Sequence, residues 1–300
     1  MSYVPVLDLT RLDSDPSGFS NALGEAFEET GFATVVNHGV RSDLIHNCYK
    51  AARNVFKYDD KFLAKYENHG NGHQTGFTPF GTEHAKGVKT PDQKRFWHVR
   101  RLKGGSVFGP NIWPTEVPDF ELAMTLLYEQ LETLALRLLE PVNWFLGMES
   151  GTLSDMIRGG ETLLRAVHYP PLTNDQRGLR AAPHEDINLI TLLVAATASG
   201  LQVQTMDKKW VAVNEEADSI VVNVGDMLQM LTQGRLRSTR HQVVNPKGSA
   251  DQPRFSLPMF VHPRSEVVLR KSDSFTAGQY LQQRLQEIGL YAGAGAAARK

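Results

Sequence analysis

The sequence predicts a mixed α+β protein, with helices dominating the first half and a sandwich or barrel of short strands forming the second. Two observations support this fold class. Before about residue 160, several segments repeat apolar residues every three to four positions, as amphipathic helices do. After Thr162, short runs rich in β-branched residues alternate with turn residues, in the number and spacing typical of a β-sandwich or barrel.

The elements of the first half can be assigned in order along the chain. "VPVLDL" alternates like a short strand, and "PSGFSNALGEAFEETG" predicts a helix that ends at Gly31. "FATVVNHGV" is typical of a buried strand, and helices are expected from Ser42 to about Phe56 and over "DDKFLAKYE". The glycine-rich segment from Asn68 to Gly81 predicts a loop, and "KRFWHVRR" predicts a strand.

The second half begins after the longest predicted helix, "PDFELAMTLLYEQLETLALRLLEPVNWFLGM". We expect a kink or a break at Pro141, because proline donates no backbone N–H and clashes with the preceding turn. The helix is followed by seven strand-like segments, "TLLRAVHYP", "INLITLLVA", "GLQVQTM", "WVAVN", "SIVVNVG", "RHQVVNP" and "RFSLPMFVHP". "SFTAGQYLQQRLQEIGL" then predicts one last amphipathic helix.

Composition limits the partners and the compartment. Lys and Arg number 32 against 33 Asp and Glu, so no net charge attracts nucleic acid or an anionic membrane, and we expect a small-molecule partner. The longest apolar run, Leu189 to Ala198, is too short to cross a bilayer. Cys48 is the only cysteine, which excludes a disulfide framework and fits a reducing compartment. These features favour a cytoplasmic protein and leave its oligomeric state open.

The stretch "PHEDINLITLL" places His184 and Asp186 two positions apart at the start of an apolar run. Residues i and i+2 of a strand share a face, so both side chains can reach one metal ion. Because such a pair alone is more often an exposed strand end, a third ligand is needed, and His241 is the best candidate. Two histidines and one carboxylate leave coordination positions open, as in non-haem Fe(II) enzymes that activate oxygen, whereas four ligands would close a structural zinc site.

The stretch "RFSLPMF" contains a second i, i+2 pair, Arg254 and Ser256. A guanidinium beside a hydroxyl is suited to holding a carboxylate, such as the distal carboxylate of a metal-chelated keto acid. A surface salt bridge is the simpler interpretation of Arg254 alone. An arginine in an apolar strand nevertheless needs a partner if it is buried.

Taken together, these motifs resemble the isopenicillin N synthase-like group of 2-oxoglutarate and Fe(II)-dependent oxygenases. The similar segments are "GFATVVNHGV", "TGFTPFG", "RAVHYPP", "HEDINLITLL", "VVNVGDMLQMLTQGRLRSTRHQV" and "RFSLPMF". They follow one another in the family's order over nearly the whole chain. Each segment alone is unspecific, and the combination is highly specific.

The resemblance implies a double-stranded β-helix, or jelly-roll, core and a reaction that consumes O2 and 2-oxoglutarate and releases succinate and CO2. Hydroxylation of a small molecule is the first expectation, with desaturation and cyclisation open. The order of the segments themselves predicts one catalytic unit over 1–300, with a mainly helical extension containing a few strands over 1–160, the core over 161–265, a C-terminal helix over 266–290 and a mobile tail over 291–300. The implied residues are His184, Asp186 and His241 for Fe(II), and Arg254, Ser256 and Tyr169 for 2-oxoglutarate.

Two residues that differ from the family pattern, and one predicted strand, bear on how the pocket binds its ligands. Where plant members of the family have Asn-Tyr-Tyr-Pro-Pro, this chain has "VHYPP", so Val167 and His168 remove one expected polar contact to the co-substrate. Charged residues also alternate with apolar ones in "KRFWHVRR", which indicates either a solvated sheet edge or contacts to an anionic substrate. The residues predicted to contact substrate are Arg95, His98, Arg100 and Phe260.

Three alternatives to this function stay open at the level of sequence. The chain could be an oxidase of the isopenicillin N synthase type, which uses no keto acid, with Arg254 and Ser256 holding a substrate carboxylate. It could be a non-catalytic, cupin-like metal-binding module. It could also be a zinc hydrolase, although the sequence contains no His-Glu-x-x-His motif.

Overall fold

The computed structural model describes residues 3–83, 92–102, 105–171, 179–214, 216, 218–245 and 252–288. The tail expected to be mobile, 291–300, lies outside them. Across these described ranges, no helix has both the length and the apolar character needed to cross a bilayer.

Helices and strands are interspersed through the first half, and strands dominate the second, as the predicted α+β class requires. The α-helices are α1 Arg11–Ser14, α2 Pro16–Glu29, α3 Ser42–Phe56, α4 Asp60–Leu63, α5 Asp119–Leu146, α6 Thr152–Ile157, α7 Asp226–Leu231 and α8 Ala277–Glu287, with 3-10 turns at Ala64–Tyr66 and His69–Asn71. The strands are β1 Val6–Asp8, β2 Phe32–Val36, β3 Gly76–Thr78, β4 Arg95–Arg100, β5 Leu163–Tyr169, β6 Ala181–His184, β7 Ile190–Val194, β8 Leu201–Gln204, β9 Trp210–Ala212, β10 Ile220–Val224, β11 His241–Val243, β12 Arg254–Val261, β13 Val268–Arg270 and β14 Phe275–Thr276.

Two sheets form the core and build the expected jelly-roll. The larger has the strand order β1-β2-β10-β7-β12-β5-β4-β3, and the smaller has the order β6-β11-β8-β9. The β1–β2 pair is parallel, and the other pairs within these sheets are antiparallel. Apolar side chains contributed by both sheets pack together: Val4, Phe32, Leu201, Val203, Val213 and Val221.

The first half of the chain completes this core. Strands β1 to β4 come from before residue 160, yet they occupy both edges of the larger sheet. Helices α2 and α3 pack against α5, and their buried faces belong to the same apolar cluster as the central strands β7, β10 and β12. The helical segment therefore supports the sheet directly.

Helix α5 continues through Pro141, so of the expected kink or break, the break is wrong. A proline inside a helix costs about 3 kcal/mol. Leu127, Leu131 and Leu139 of α5 are each fully buried, and burying a leucine side chain contributes roughly 1.5–3 kcal/mol. Tertiary packing therefore outweighs the local cost. The carbonyl of Pro141 also accepts a hydrogen bond of 2.7 Å from the Ser20 hydroxyl.

The glycine-rich segment differs from its prediction. We expected a loop from Asn68 to Gly81, but the segment contains a 3-10 turn and strand β3, which pairs with β4. "DDKFLAKYE" likewise forms one α-helical turn followed by a 3-10 turn. Elements this short carry too few residues for a periodic pattern.

Candidate active site

Three predicted ligands converge at one end of the smaller sheet. His184 ends β6 and His241 begins β11, and the two residues face each other in the antiparallel ladder. Asp186 follows His184 by two positions, and its Oδ1 lies 3.9 Å from Nε2 of His184 and 3.7 Å from Nε2 of His241. The three ligand atoms lie within 4.8 Å of one another. Strand pairing therefore brings together residues that are distant in sequence.

Backbone carbonyls fix the tautomer of both histidines. Nδ1 of His184 donates to the carbonyl of Ala182 at 2.8 Å, and Nδ1 of His241 donates to that of Thr239 at 3.1 Å. Because a carbonyl only accepts, each Nδ1 carries the proton and each Nε2 keeps its lone pair. Both lone pairs are thus available on the side of Asp186.

Two hydrogen bonds orient the carboxylate of Asp186. Its Oδ2 accepts from the Thr191 hydroxyl at 2.6 Å and from Nδ2 of Asn223 at 2.8 Å, which leaves Oδ1 for the histidines. Thr191 and Asn223 face each other on β7 and β10. The sequence interpretation missed this role. A polar residue inside the buried run "IVVNV" was the available signal.

The electrostatics favour the protonation states that bind metal. Burial alone would raise the pKa of Asp186, but the two histidines and the two hydrogen bonds outweigh it and lower that pKa. Burial and the neighbouring His241 lower the pKa of His184 to about 4. Ionised carboxylate and neutral imidazole are the ligand forms that a divalent ion needs, and the donor set fits Fe(II).

Two cavities meet at this triad. The smaller measures about 70 Å³ and contains all three ligands together with Arg254, Ser256 and Tyr169 in its wall. The larger measures about 470 Å³ and also reaches His184 and Asp186. We call the first the inner cavity and the second the outer chamber. Residues that line both are Lys94, Arg165, His184, Asp186 and Phe260.

The structure brings the three residues predicted for 2-oxoglutarate together in the inner cavity. Arg254 and Tyr169 are opposite residues of β12 and β5, and the guanidinium carbon lies 5.2 Å from the centre of the tyrosine ring. Nε of Arg254 donates to the carbonyl of Ala198 at 2.9 Å. Arg254, Ser256 and Tyr169 are all buried. A buried cation and a carboxylate–imidazole cluster therefore line the same cavity.

The two departures from the plant motif have different structural outcomes. Val167 lines the inner cavity, so this position offers no hydrogen bond there. His168 instead packs between Phe56 and Phe255, at ring-centre distances of 5.4 and 4.7 Å. Its Nδ1 accepts a 3.0 Å hydrogen bond from Nε of Arg95.

The structure does not place Arg95 or His98 in the outer chamber, which corrects that part of the expectation. Arg95 is buried behind the cavity wall, where it donates to His168, to the Asp60 carboxylate at 2.6 Å and to backbone carbonyls. His98 is fully buried, and its Nε2 accepts from Nε of Arg165 at 2.7 Å. Neither described side chain lines either cavity.

Arg100 and Phe260 do line the outer chamber. The Arg100 guanidinium is held by Gln74, through its backbone and side-chain oxygens at 3.0 and 2.5 Å, and by the carbonyl of Glu161 at 2.8 Å. Burial lowers the pKa of Arg100 to about 10. Its donors are directed at the wall, and Phe260 is the more exposed of the two toward the chamber, at the boundary with the inner cavity.

The outer chamber also contains an ionic cluster that sequence reasoning missed. Arg165 pairs with Glu83 at 2.9 Å, and Lys94 pairs with Asp92 at 2.8 Å and with Glu83 at 3.6 Å. Burial opposes the charge on Lys94, but the two carboxylates outweigh it and raise its pKa. These residues come from separate segments, so no local pattern could have indicated that they meet.

Helix α8 supplies an apolar side of the same chamber. It begins at a capping box in which Thr276 and Gln279 exchange hydrogen bonds with each other's backbone. Leu281, Arg284 and Leu285 of α8 line the chamber, together with Ile288, which follows the helix.

Comparisons with known proteins agree with this geometry. Residues 160–263 match the family model of the 2OG-Fe(II) oxygenase superfamily, and residues 4–116 match the model described as the N-terminal region of non-haem dioxygenases in morphine synthesis. The chain is 30% identical over 268 residues to Jasmonate-induced oxygenase 4 of Arabidopsis thaliana, covering 88% of this chain and 73% of that protein.

Solved structures show the same fold. A 2OG-Fe(II) oxygenase family protein from Caulobacter crescentus superposes with a TM-score of 0.85 at 33% identity, covering 96% of this chain and 99% of that one. JOX2, solved in complex with 2OG, Fe and JA, gives a TM-score of 0.79 at 24% identity, covering 95% and 85%. At that lower identity the second likeness supports the fold alone.

These findings favour an oxygenase over the cupin-like module, the zinc hydrolase and the keto-acid-independent oxidase, and the resemblance to isopenicillin N synthase holds at the level of the superfamily. The family uses Fe(II), 2-oxoglutarate and O2, and the His184, Asp186 and His241 cluster fits the iron. The chain belongs to the 2OG-Fe(II) oxygenase superfamily and is an Fe(II)- and 2-oxoglutarate-dependent dioxygenase.

Proposed function

We propose that this enzyme hydroxylates a small organic molecule bound in the outer chamber, while 2-oxoglutarate bound in the inner cavity is converted to succinate and CO2. The observation that carries this proposal is the position of the ligand cluster at the junction of two cavities. One oxygen atom of O2 would enter succinate and the other the product, so no further reductant is needed.

In this proposal His184, Asp186 and His241 hold Fe(II). When bound, the iron would supply the redox chemistry that activates O2. The protein positions the groups around it. Thr191 and Asn223 keep the Asp186 carboxylate turned toward the histidines, and such outer partners raise ligand precision and metal affinity.

Arg254, Ser256 and Tyr169 would bind the distal carboxylate of 2-oxoglutarate. A buried guanidinium gives a strong, charge-assisted hydrogen bond to a carboxylate, and the low local dielectric strengthens it. Because the cation and the ligand cluster line the same small cavity, an elongated dicarboxylate can contact both.

The chamber wall supports a substrate with a planar or apolar body. Phe260 and the leucines of α8 offer apolar contact. Nδ1 of His262 interacts with the carbonyl of Phe260 at 3.1 Å, so this nitrogen is the donor, and the buried Nε2 has no partner among the described residues. Of the predicted contacts, we retain Phe260 as a direct one and Arg100 as part of the wall.

JOX2, a protein of the same fold, was solved in complex with 2OG, Fe and JA together. A cytoplasmic location is also part of the proposal, supported by the single cysteine, and cell fractionation would test it.

Oxygen uptake with Fe(II) and 2-oxoglutarate tests the function directly. Amino acids, phenolics and small acids should be screened, with succinate and oxygenated product measured by mass spectrometry. We expect a true substrate to stimulate uptake, with succinate and product formed in equal amounts. Oxygen uptake without succinate would instead establish a keto-acid-independent oxidase, and a product lacking two hydrogens would establish desaturation or cyclisation.

A further inference from the structure

A second group of metal-ligand side chains lies away from the active site. Glu67, His69 and His73 surround the 3-10 turn His69–Asn71, and one ligand atom from each lies within 4.8 Å of the others. Nε2 of His69 is 3.4 Å from Oε2 of Glu67, and Nδ1 of His73 is 3.9 Å from the same oxygen. None of the three lines the inner cavity or the outer chamber.

The backbone around these residues is held by its own hydrogen bonds. The N–H of His73 donates to the carbonyl of Asn68 at 2.9 Å, and the side chains of Asn68 and Asn71 both donate to the Thr75 hydroxyl, at 3.1 and 2.9 Å. His73 has a φ of 59°, a left-handed conformation that is strained for a residue with a Cβ. These hydrogen bonds therefore order the backbone that carries the three side chains.

Of these three residues, His73 has a buried side-chain nitrogen that lacks a hydrogen-bond partner among the described residues. This nitrogen is Nδ1, which faces Glu67. A buried nitrogen without a partner costs free energy that coordination would recover.

We propose that Glu67, His69 and His73 form a second metal site, selective for Zn²⁺ or a similar divalent transition-metal ion, with solvent in the remaining position. Zn²⁺ binds imidazole nitrogen and carboxylate oxygen at about 2.0–2.2 Å, which places tetrahedral donors about 3.3 Å apart. The observed separations from Glu67 are 3.4 and 3.9 Å, and all three ligand atoms lie within 4.8 Å, so the side chains would move closer together on binding an ion. His69, 76% exposed, has the freedom to do so.

This site would fasten the segment to the wall of the outer chamber. The carbonyl of His73 accepts a 2.8 Å hydrogen bond from Nδ1 of His98, and His98 accepts from Arg165, which lines the chamber. The next residue, Gln74, lines the chamber and binds Arg100. An ion at Glu67, His69 and His73 therefore stabilises the wall without contacting substrate.

The test uses the full chain carrying His184→Ala and His241→Ala, which removes two ligands of the active-site cluster. Zn²⁺ alone is titrated by calorimetry and Co²⁺ alone by visible absorption, because tetrahedral cobalt absorbs far more strongly than octahedral cobalt. We expect one equivalent of either ion to bind, the strong tetrahedral cobalt spectrum, and a rise in melting temperature on adding Zn²⁺.

The added substitution His69→Ala should abolish all three signals, since His69 is largely exposed and its loss should leave the fold intact. Glu67→Gln serves as the second variant, and circular dichroism checks that each variant is folded. His46→Ala, a change at an exposed histidine on α3, is the matched control and should bind as the parent does. The proposal is overturned if the His184→Ala, His241→Ala protein binds no equivalent of metal ion. It is also overturned if one equivalent still binds after both His69→Ala and Glu67→Gln.

Discussion

The inner cavity and the outer chamber share a wall at the ligand cluster, but they are built in different ways. In the inner cavity most polar groups stand on paired strands, with Arg254 opposite Tyr169 and His241 opposite His184, while Asp186 lies just after the end of β6. In the outer chamber they come from a loop, a strand and a terminal helix, and they are held by side-chain ion pairs such as Arg165 with Glu83. Strand register fixes the first set, and tertiary packing fixes the second.

This difference separates what the reaction requires from what the substrate requires. Groups on strands are held precisely, as metal and co-substrate chemistry demands. Groups on loops and helix surfaces can be exchanged with less effect on the sheets, which suits a region that determines substrate choice. Substitutions in the inner cavity should therefore alter iron and 2-oxoglutarate binding, whereas the outer chamber should govern which substrate is accepted.

The largest effect is expected from Asp186→Ala. The change removes the one carboxylate ligand and leaves the two histidines without an anionic partner, so we expect at least a thousandfold loss of succinate formation, about 4 kcal/mol. Succinate release and iron content together measure it. Asp207→Ala, a change at an exposed aspartate, is the control and should behave as the wild type. Wild-type turnover in Asp186→Ala would refute the ligand assignment.

Arg254→Gln should weaken 2-oxoglutarate binding and spare iron binding. Loss of a charge-assisted hydrogen bond costs about 2 kcal/mol, which corresponds to about a thirtyfold higher KM for 2-oxoglutarate. Steady-state kinetics at saturating iron gives KM and kcat separately. Arg270→Gln, on an exposed arginine paired with Asp273, provides the comparison. If KM stays unchanged, the guanidinium has another role.

Asn223→Ala tests whether the residues that hydrogen-bond to Asp186 contribute to metal affinity. The Asp186 carboxylate would lose one of its two orienting hydrogen bonds, and removal of such a partner lowers metal affinity about 10- to 100-fold. Fe(II) titration under anaerobic conditions measures the affinity. At saturating iron the KM for 2-oxoglutarate should match the wild type, and a raised KM there would show that Asn223 acts on the co-substrate instead.

Of these substitutions, His168→Asn should change enzyme activity at neutral pH the least, because His168 lines neither cavity. Burial, with a further contribution from Arg95, lowers the folded-state pKa of His168 to about 3, below its ordinary value of 6.5. Between pH 6.5 and pH 3, His168 is protonated in the unfolded chain but stays neutral in the folded chain. The free energy of unfolding therefore falls by up to about 1.4 kcal/mol for each pH unit over this range.

Asparagine can still accept the hydrogen bond from Arg95 but does not titrate, so the acid dependence of unfolding should be shallower in His168→Asn. Chemical denaturation between pH 7 and pH 4 provides the slopes. Equal slopes in the two proteins would mean that His168 already takes up its proton in the folded state.

The parts that could be predicted from sequence are those encoded by local periodicity. Arg254 and Ser256 are an i, i+2 pair on β12, and helix α3 matches its expected limits. Asp186 was expected on the same strand as His184, but β6 ends at His184 and Asp186 lies in the segment before β7, so that part of the strand assignment is wrong. Local patterns do not show which face of a strand is covered by other elements of the fold. Arg95 and His98 were expected to contact substrate because they alternate with apolar residues, yet both faces of β4 are buried, so alternation did not mark an open face.

Packing and long-range pairing account for the other differences. Pro141 stays within α5 because buried leucines outweigh its local cost. Strand β3 has three residues and exists because β4 provides a pairing partner. The Lys94, Glu83 and Arg165 cluster joins segments whose approach depends on the completed sheet.

An anaerobic titration of the Fe(II)-loaded protein with 2-oxoglutarate tests the central claim most directly. Chelation of an α-keto acid by Fe(II) produces a visible charge-transfer absorption band. We predict that the wild type develops this band at stoichiometric iron, that His241→Ala does not, and that Arg254→Gln requires about thirtyfold more 2-oxoglutarate. A band that forms equally well in His241→Ala would contradict the account.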